Sequence, residues 1–411
     1  MSFIRELVPP PGHVRTLCAS NLAKTVGHGI FVSVGVLFFT RTVGIPAGQV
    51  GLALTIGAAV GMFASVPAGR LADLTGPRNT TVGFLLLLGV FVCAYGFVGS
   101  FPALVVAASL ALLAESATDA ARGALIAGLI PSEERVRAWA YLRSTANIGL
   151  SLGAGAGAVG LVFDTRLAYV GLLMGAGAMF LTAGFAYLRV PQVPPAPKVE
   201  DGPTWVVLRD LPYATMALLN TVLIMNWPVV TVALPVWIAD RTEAPVWVFS
   251  AVLMINTAMV VFLQVRMSRG AGTVDGGARA MRRSGVLLAV SCALFAVTAG
   301  LPAWAAGLLL LAAGVVHVFG EMLHGAGSWS LGYGLAPEHA MGQYQGLFTM
   351  SIQLGTVATP VLATALIVGL GWSGWLVFAL LFLVAGAAAP PVARWARQTR
   401  RPDAATRSPS A

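Results

Sequence analysis

The stretch "VVHVFGEMLHGAG" at 315–327 sets a glutamate between two histidines inside an otherwise apolar run. His317, Glu321 and His324 are spaced i, i+4, i+7, so a helix carries all three on one face. Two imidazoles and a carboxyl on one stripe could ligate a metal, fix a packing contact, or exchange a proton in the pH range where histidine titrates. The stretch "ESATDAAR" repeats the spacing with Glu115, Asp119 and Arg122. Asp119 and Arg122 are placed to pair on their own helix, while Glu115 lies one turn away without an obvious local partner. A third run carries Asn21, Lys24 and His28, with Lys24 expected to reach along its stem toward the membrane surface. No "GxxxxGK[ST]" phosphate cradle, no HExxH and no Ser/His/Asp set stands out, so no enzyme is expected. Cys18, Cys93 and Cys292 all fall in apolar segments without disulfide or metal-ligand spacing. Neither a metal nor a cofactor is expected.

The elements that carry these residues follow from composition. Of 411 residues, 57% are hydrophobic and 10% charged, against about 25% charged in soluble chains. The mean hydropathy is +0.82. An all-α integral membrane protein is expected. A charge at the bilayer centre costs about 2.5–3.5 kcal/mol, so three titratable groups on one stripe must face protein or a watery path. Apolar runs of spanning length fall near 17–40, 46–68, 80–99, 102–130, 138–163, 167–189, 212–239, 244–266, 284–301, 303–330, 341–369 and 372–393. The first has no cleavage site after it and is expected to remain as a membrane helix.

Loops alternate strongly in charge. One side collects about twenty Lys/Arg, among them Arg70, Arg135, Arg137, Arg269, Arg282, Arg283, Arg394, Arg397, Arg400 and Arg401. The other side holds Arg41, Arg166 and Arg241. The excess marks the cytoplasmic face and places both termini there. The net charge of +9 is therefore a topology signal and not a nucleic-acid footprint. All but Lys24 and Lys198 of the 25 basic residues are arginine, as in GC-rich bacteria, and a bacterial plasma (inner) membrane is expected.

Two halves are expected: a six-helix bundle over 1–190, a Pro-rich cytoplasmic linker over 191–211, a second six-helix bundle over 212–393, and a cytoplasmic tail over 394–411. A shift of 199 residues brings Asn21 onto Asn220 and Pro46 onto Pro245. A shift of 206 brings "GLIP" onto "GLAP", Gly149 onto Gly355 and Glu115 onto Glu321. Paired bundles of this kind place a binding site near the midplane.

The loop "GRLADLTGPRNTT" at 69–81 carries Gly69, Asp73, Gly76 and Arg78. Glycines permit a tight turn and close helix approach, and Asp73 can accept from a helix N-terminus or an arginine. This spacing resembles the loop signature of the major facilitator superfamily, with Leu74 where that family commonly has a basic residue. "NIGLSLGAGAGAV" at 147–159 resembles the Gly-rich segment of the family's drug–proton antiporters, with Gly153-Ala154 where they have Gly-Pro. Gly149, Gly153 and Gly157 have the small-xxx-small spacing of close helix packing. Arg122 sits roughly where those antiporters carry a fourth-helix arginine linked to proton transfer.

The resemblance implies alternating access by two halves, with a small molecule exported in exchange for protons. Glu321 is the first choice for the proton-carrying group, with Glu115, Asp119 and His28 assisting and His317 and His324 tuning it. Asn21, Lys24, Arg122, Asn220, Asn226, Trp227, Asn256 and Trp329 are candidates for the substrate cavity, with Tyr344 a further aromatic contact. Pro228 and Pro235 are expected to let the seventh helix bend. The expected partners are the substrate, protons and lipid, in a monomer. A proton-coupled importer of a nutrient or peptide shares these features, and so does a non-transporting sensor with its acids locked in ion pairs.

Overall fold

Side chains cap some of the helices at their starts, and glycines end others. The computed structural model describes residues 8–197 and 204–399. The expected linker positions 198–203 and the tail beyond 399, with Arg400 and Arg401, lie outside the described residues. Helical runs span α1 (His13–Thr42), α2 (Ala47–Thr75), α3 (Pro77–Phe97), α4 (Phe101–Leu129), α5 (Ser132–Leu161) and α6 (Arg166–Tyr187). They continue with α7 (Leu211–Arg241), α8 (Trp247–Met267), α9 (Val274–Val297), α10 (Ala303–Gly334), α11 (Glu338–Val368) and α12 (Trp372–Gln398). Thr165, Asp210 and Thr273 cap α6, α7 and α9 by accepting from backbone N–H groups, which satisfies donors that the helix leaves open. Gly76, with φ of 93°, ends α2 in a conformation that other residues rarely adopt.

Eleven of these runs are long and apolar enough to cross a bilayer. The run α5 has 30 residues, but its glycines, serines and first-turn charges dilute its hydropathy. The chain is thus an all-helical, multi-pass membrane protein.

Two units emerge from the packing. The first holds the chain through Pro131, then Ala138 onward to the linker, and also Pro337–Met350. The second holds Ser132–Arg137, the chain from the linker to Ala336, and Ser351 onward. In the first, α1 packs on α6, α2 on α4, and α3 on both α4 and α6. In the second, α7 packs on α12, α8 on α10, and α9 on both α10 and α12. Each pairing recurs six helices later. The two short exchanged pieces correspond as well, since the 206-residue shift carries Ser132 to Glu338. Val136 packs with Ala271, Ala280 and Ala326 in the second unit, and Arg135 lies over the Tyr333 ring at 5.8 Å.

The glycine stripe of α5 faces α1. A Cβ at Gly153 would stand 2.2 Å from the Val26 carbonyl oxygen, and one at Gly149 would stand 2.0 Å from Thr25 Oγ1. Gly157 meets Ser33 at 2.6 Å, and Gly29 answers from α1 with 2.5 Å to the Leu150 oxygen. Backbone oxygens cannot move aside like side-chain tips. Gly153→Val is therefore expected to lower the melting temperature of the purified protein, at a cost of about 1–3 kcal/mol. Gly155→Val, where nothing lies within 4 Å of the added carbon, is expected to leave it unchanged. Equal melting of both variants would refute the packing role.

Candidate functional site

The first unit holds a charge-balanced polar cluster between α1 and α4. Lys24 Nζ lies 2.5 Å from Asp119 Oδ1, and Arg122 Nη2 lies 3.1 Å from the same oxygen. Arg122 Nη1 also donates to Asn21 Oδ1 at 2.7 Å, while Asn21 Nδ2 donates to the Leu142 carbonyl at 2.9 Å. The Arg122 guanidinium covers the Trp139 ring at 5.2 Å. Lys24 was expected to extend to the membrane surface. Instead it is 7% exposed, because Asp119 reaches across from α4 and gives its ammonium a partner inside. Glu115 likewise finds its partner on another helix, with His28 Nδ1 3.3 Å from its Oε1. The helix spacing of Glu115, Asp119 and Arg122 thus aims all three at α1.

The second unit builds a different cluster around α10. His317, Glu321 and His324 are all buried, at 3%, 2% and 2% exposure. Asn256 of α8 donates its amide to Glu321 Oε2 at 2.6 Å. His317 Nδ1 lies 3.2 Å from Ser291 Oγ of α9. Ser291 Oγ also lies 2.8 Å from the Leu288 carbonyl of its own helix, to which it donates. His324 Nε2 lies 3.0 Å from Asn220 Oδ1 of α7, and its Nδ1 lies 3.5 Å from the Asn226 amide. Asn220 Oδ1 is shared with Ser328, and its amide donates to Ser351. The acid here is held by a neutral amide, whereas the acids of the first unit face an ammonium, a guanidinium and an imidazole.

Asn226 sits on a break in α7. The regular helix ends at Ile224, and a π-helical turn runs over Val229–Ala233 before the helix resumes at Leu234. Pro228 and Pro235 lie at the two ends of that interruption, and each removes a backbone donor from the ladder. Trp227 and Trp329 are half-buried, and the Trp329 ring lies beside Gly325.

The loop residues form a third feature, within the first unit. Asp73 accepts from the backbone N–H groups of Gly342 and Gln343 at 2.6 and 3.0 Å, at the first turn of the main helix of α11. A carboxylate at that end is favoured by hydrogen bonding and by the helix dipole. Gly69 makes the approach possible, since a Cβ there would stand 1.9 Å from the Gly342 oxygen. Arg78 donates to the Leu188 carbonyl at 2.6 Å. Tyr344 is buried in this same unit.

The sequence model of the Major Facilitator Superfamily matches residues 17–360. The chain belongs to that superfamily. Membership makes it a membrane transporter rather than an enzyme. A relative, the multidrug resistance protein MdtH of Aeromonas hydrophila, is 27% identical over 253 residues, which span 59% of this chain and 62% of MdtH. Among solved structures, the superfamily transporter FucP in its outward conformation aligns with a TM-score of 0.73 at 13% identity, over 93% of this chain and 98% of that one. A bacterial homologue of the iron transporter ferroportin aligns with a TM-score of 0.71 at 16% identity, over 94% and 99%. The human organic anion transporter MFSD10 aligns with a TM-score of 0.65 at 17% identity, over 92% and 100%. At these identities the likeness is one of fold.

Several polar partners in this superfamily member carry no sequence signal of their own. Ser291, Ser328 and Ser351 look like ordinary packing serines of apolar helices. Trp139 lies on the next helix, and nothing in its spacing shows that it meets Arg122. Gln264 was not among the sequence candidates although a signal was there, for it follows Asn256 by two turns on α8, and Val252, Asn256, Val260 and Gln264 form one buried stripe. Its amide donates to the Met322 carbonyl, next to Glu321.

Proposed function

We propose that this transporter exports a small molecule in exchange for protons by alternating access, with Glu321 as the group that takes up and releases the proton. The observation that carries the reading is the contrast between the two clusters. Asp119 and Glu115 sit against Lys24, Arg122 and His28, so protonating either acid gives up a strong ionic contact. Glu321 is buried at 2% exposure inside a membrane helix, with the Asn256 amide donating to it, and a charge held there is costly. Export is supported by the relative named for multidrug resistance. The arginine-rich loops support twelve spans in two six-helix bundles with both termini cytoplasmic. The arginine-rich, apolar composition supports a bacterial inner membrane.

The driving force is adequate. One pH unit is worth about 1.4 kcal/mol, a factor of about ten in concentration for each proton exchanged. The test is compound-induced proton movement in inverted vesicles with an acidified lumen. Adding a transported compound outside the vesicles is expected to alkalinise the lumen, and collapsing the gradient with a protonophore is expected to stop accumulation. Accumulation that ignores the gradient, or proton movement in the same direction as the compound, would overturn exchange.

A further inference from the structure

We infer that the cluster on α7, α8 and α10 is a recognition site for an organic cation that donates several hydrogen bonds, a primary ammonium or a guanidinium. This rests on the reading that the Glu321 cluster is the place of exchange, and it specifies what displaces the proton there.

The inference comes from how the amides are used. Asn256 spends its N–H on the Glu321 carboxylate, Asn226 on the Leu223 carbonyl at 2.5 Å, and Gln264 on the Met322 carbonyl at 3.2 Å. The Leu223 and Met322 carbonyls have no proton to give, so the amide nitrogens of Asn226 and Gln264 must point at them, and Asn256 does the same toward Glu321 when that carboxyl is ionised. Their oxygens, Asn226 Oδ1, Asn256 Oδ1 and Gln264 Oε1, are then left buried without hydrogen-bond partners. The three residues are 1%, 4% and 0% exposed.

A buried polar group without a partner costs stability and is rare. Here there are three, all acceptors, around the two turns of α10 that carry His317, Glu321 and His324. Asn256 is bonded to Glu321, Gln264 to the residue after it, and Asn226 touches His324. The titratable groups at the site are those three residues of α10, while α7, α8 and α9 present Asn220, Asn226, Asn256, Gln264 and Ser291. In the second unit Trp375 Nε1 is a further such group, a donor, but it lies in the aromatic group with Trp237 and Phe295. A carboxylate among spare acceptors matches a ligand with one positive charge and several N–H bonds. A trimethylated cation supplies the charge and leaves the acceptors unmet. The cations of the first unit, Lys24 and Arg122, are already engaged by Asp119, which argues against an anion there.

The test uses the full-length protein purified in detergent and two probes that share a ring and a charge, benzylammonium and benzyltrimethylammonium. Benzylammonium is expected to bind by calorimetry and to raise the melting temperature. The trimethylated probe is expected to bind at least about tenfold more weakly, as a site built to be donated to rejects a ligand without donors. Gln264→Met is expected to weaken benzylammonium about tenfold while the unliganded protein melts as before. Equal binding of the two probes, no binding of either, or an equal shift with sodium chloride overturns the inference. The first would mark a plain charge site, the second a water-filled cluster and the third an inorganic cation site. Proton release into a weakly buffered solution is recorded in the same titration. Release with both probes alike keeps the coupling reading and removes this one. Selective benzylammonium binding without release keeps this one and removes the coupling reading.

Discussion

Glu321→Gln is expected to abolish gradient-driven accumulation in inverted vesicles while leaving the protein folded. Glutamine has the shape of glutamate, and its side-chain oxygen can still accept from Asn256, so the 2.6 Å contact between α8 and α10 survives. What is lost is the exchangeable proton. Accumulation should fall to the level of passive equilibration, which for one proton and one pH unit is a drop of about tenfold. Because the substitution also removes a buried charge, the melting temperature should hold or rise. The comparison that decides the assignment is Glu115→Gln. That change strips His28 of its acid on the other cluster, so it should alter stability and leave the response to the gradient in place. If Glu115→Gln uncouples the transporter and Glu321→Gln does not, the proton sites are exchanged and the reading fails. His317→Gln and His324→Gln belong to the same measurement. A tuning role predicts a shifted pH dependence of transport with coupling intact.

The stripe that carries this prediction was legible because helical periodicity needs only local sequence. His317, Glu321 and His324 share a face in the structure as their spacing requires, and α10 begins at Ala303, where the apolar run begins. The break in α7 was also local, written in Pro228 and Pro235. Contacts between helices were not legible. Lys24 and Asp119 are 95 residues apart, and nothing in either helix alone says that they meet. A lysine near the end of an apolar run reads as a residue reaching for water, and only the geometry of α1 against α4 turns it inward. The same limit applies to Asp73, whose partners at 342 and 343 lie at the far end of the chain. Its residue type showed that it could cap a helix, but not which helix. The segment 337–350 packs with the first unit, whereas its sequence position suggests membership of the second half. Asparagine and glutamine gave the weakest signal, since one amide in an apolar helix serves packing as readily as binding. Their meaning came from which end of each amide is used.

Asp119→Asn is expected to be more damaging to stability than Lys24→Met, although the two residues form one ion pair. Removing one partner of a fully buried pair costs about 3–5 kcal/mol, because a charge is left without compensation. With 30% of the Asp119 side chain exposed, the cost here is expected toward or below the lower end of that range. Asp119 compensates two cations, Lys24 at 2.5 Å and Arg122 at 3.1 Å. Its loss strands both, and Lys24, with 8% of its side chain exposed, has little water to fall back on. Loss of Lys24 leaves Asp119 still paired with Arg122, so the cost should be smaller. The double variant Lys24→Met/Asp119→Asn strands only Arg122, which keeps its hydrogen bond to Asn21 and its place over Trp139. It should therefore melt higher than Asp119→Asn alone. Thermal unfolding of the four purified proteins in one detergent reads the order directly: wild type, then Lys24→Met, then the double variant above Asp119→Asn. A double variant less stable than Asp119→Asn would show that the lysine stabilises the bundle through its stem and not through its charge. The order also separates the two clusters by role. Where Asp119 holds helices together, its substitution moves the melting temperature more than the proton response. Where Glu321 carries protons, the balance is reversed.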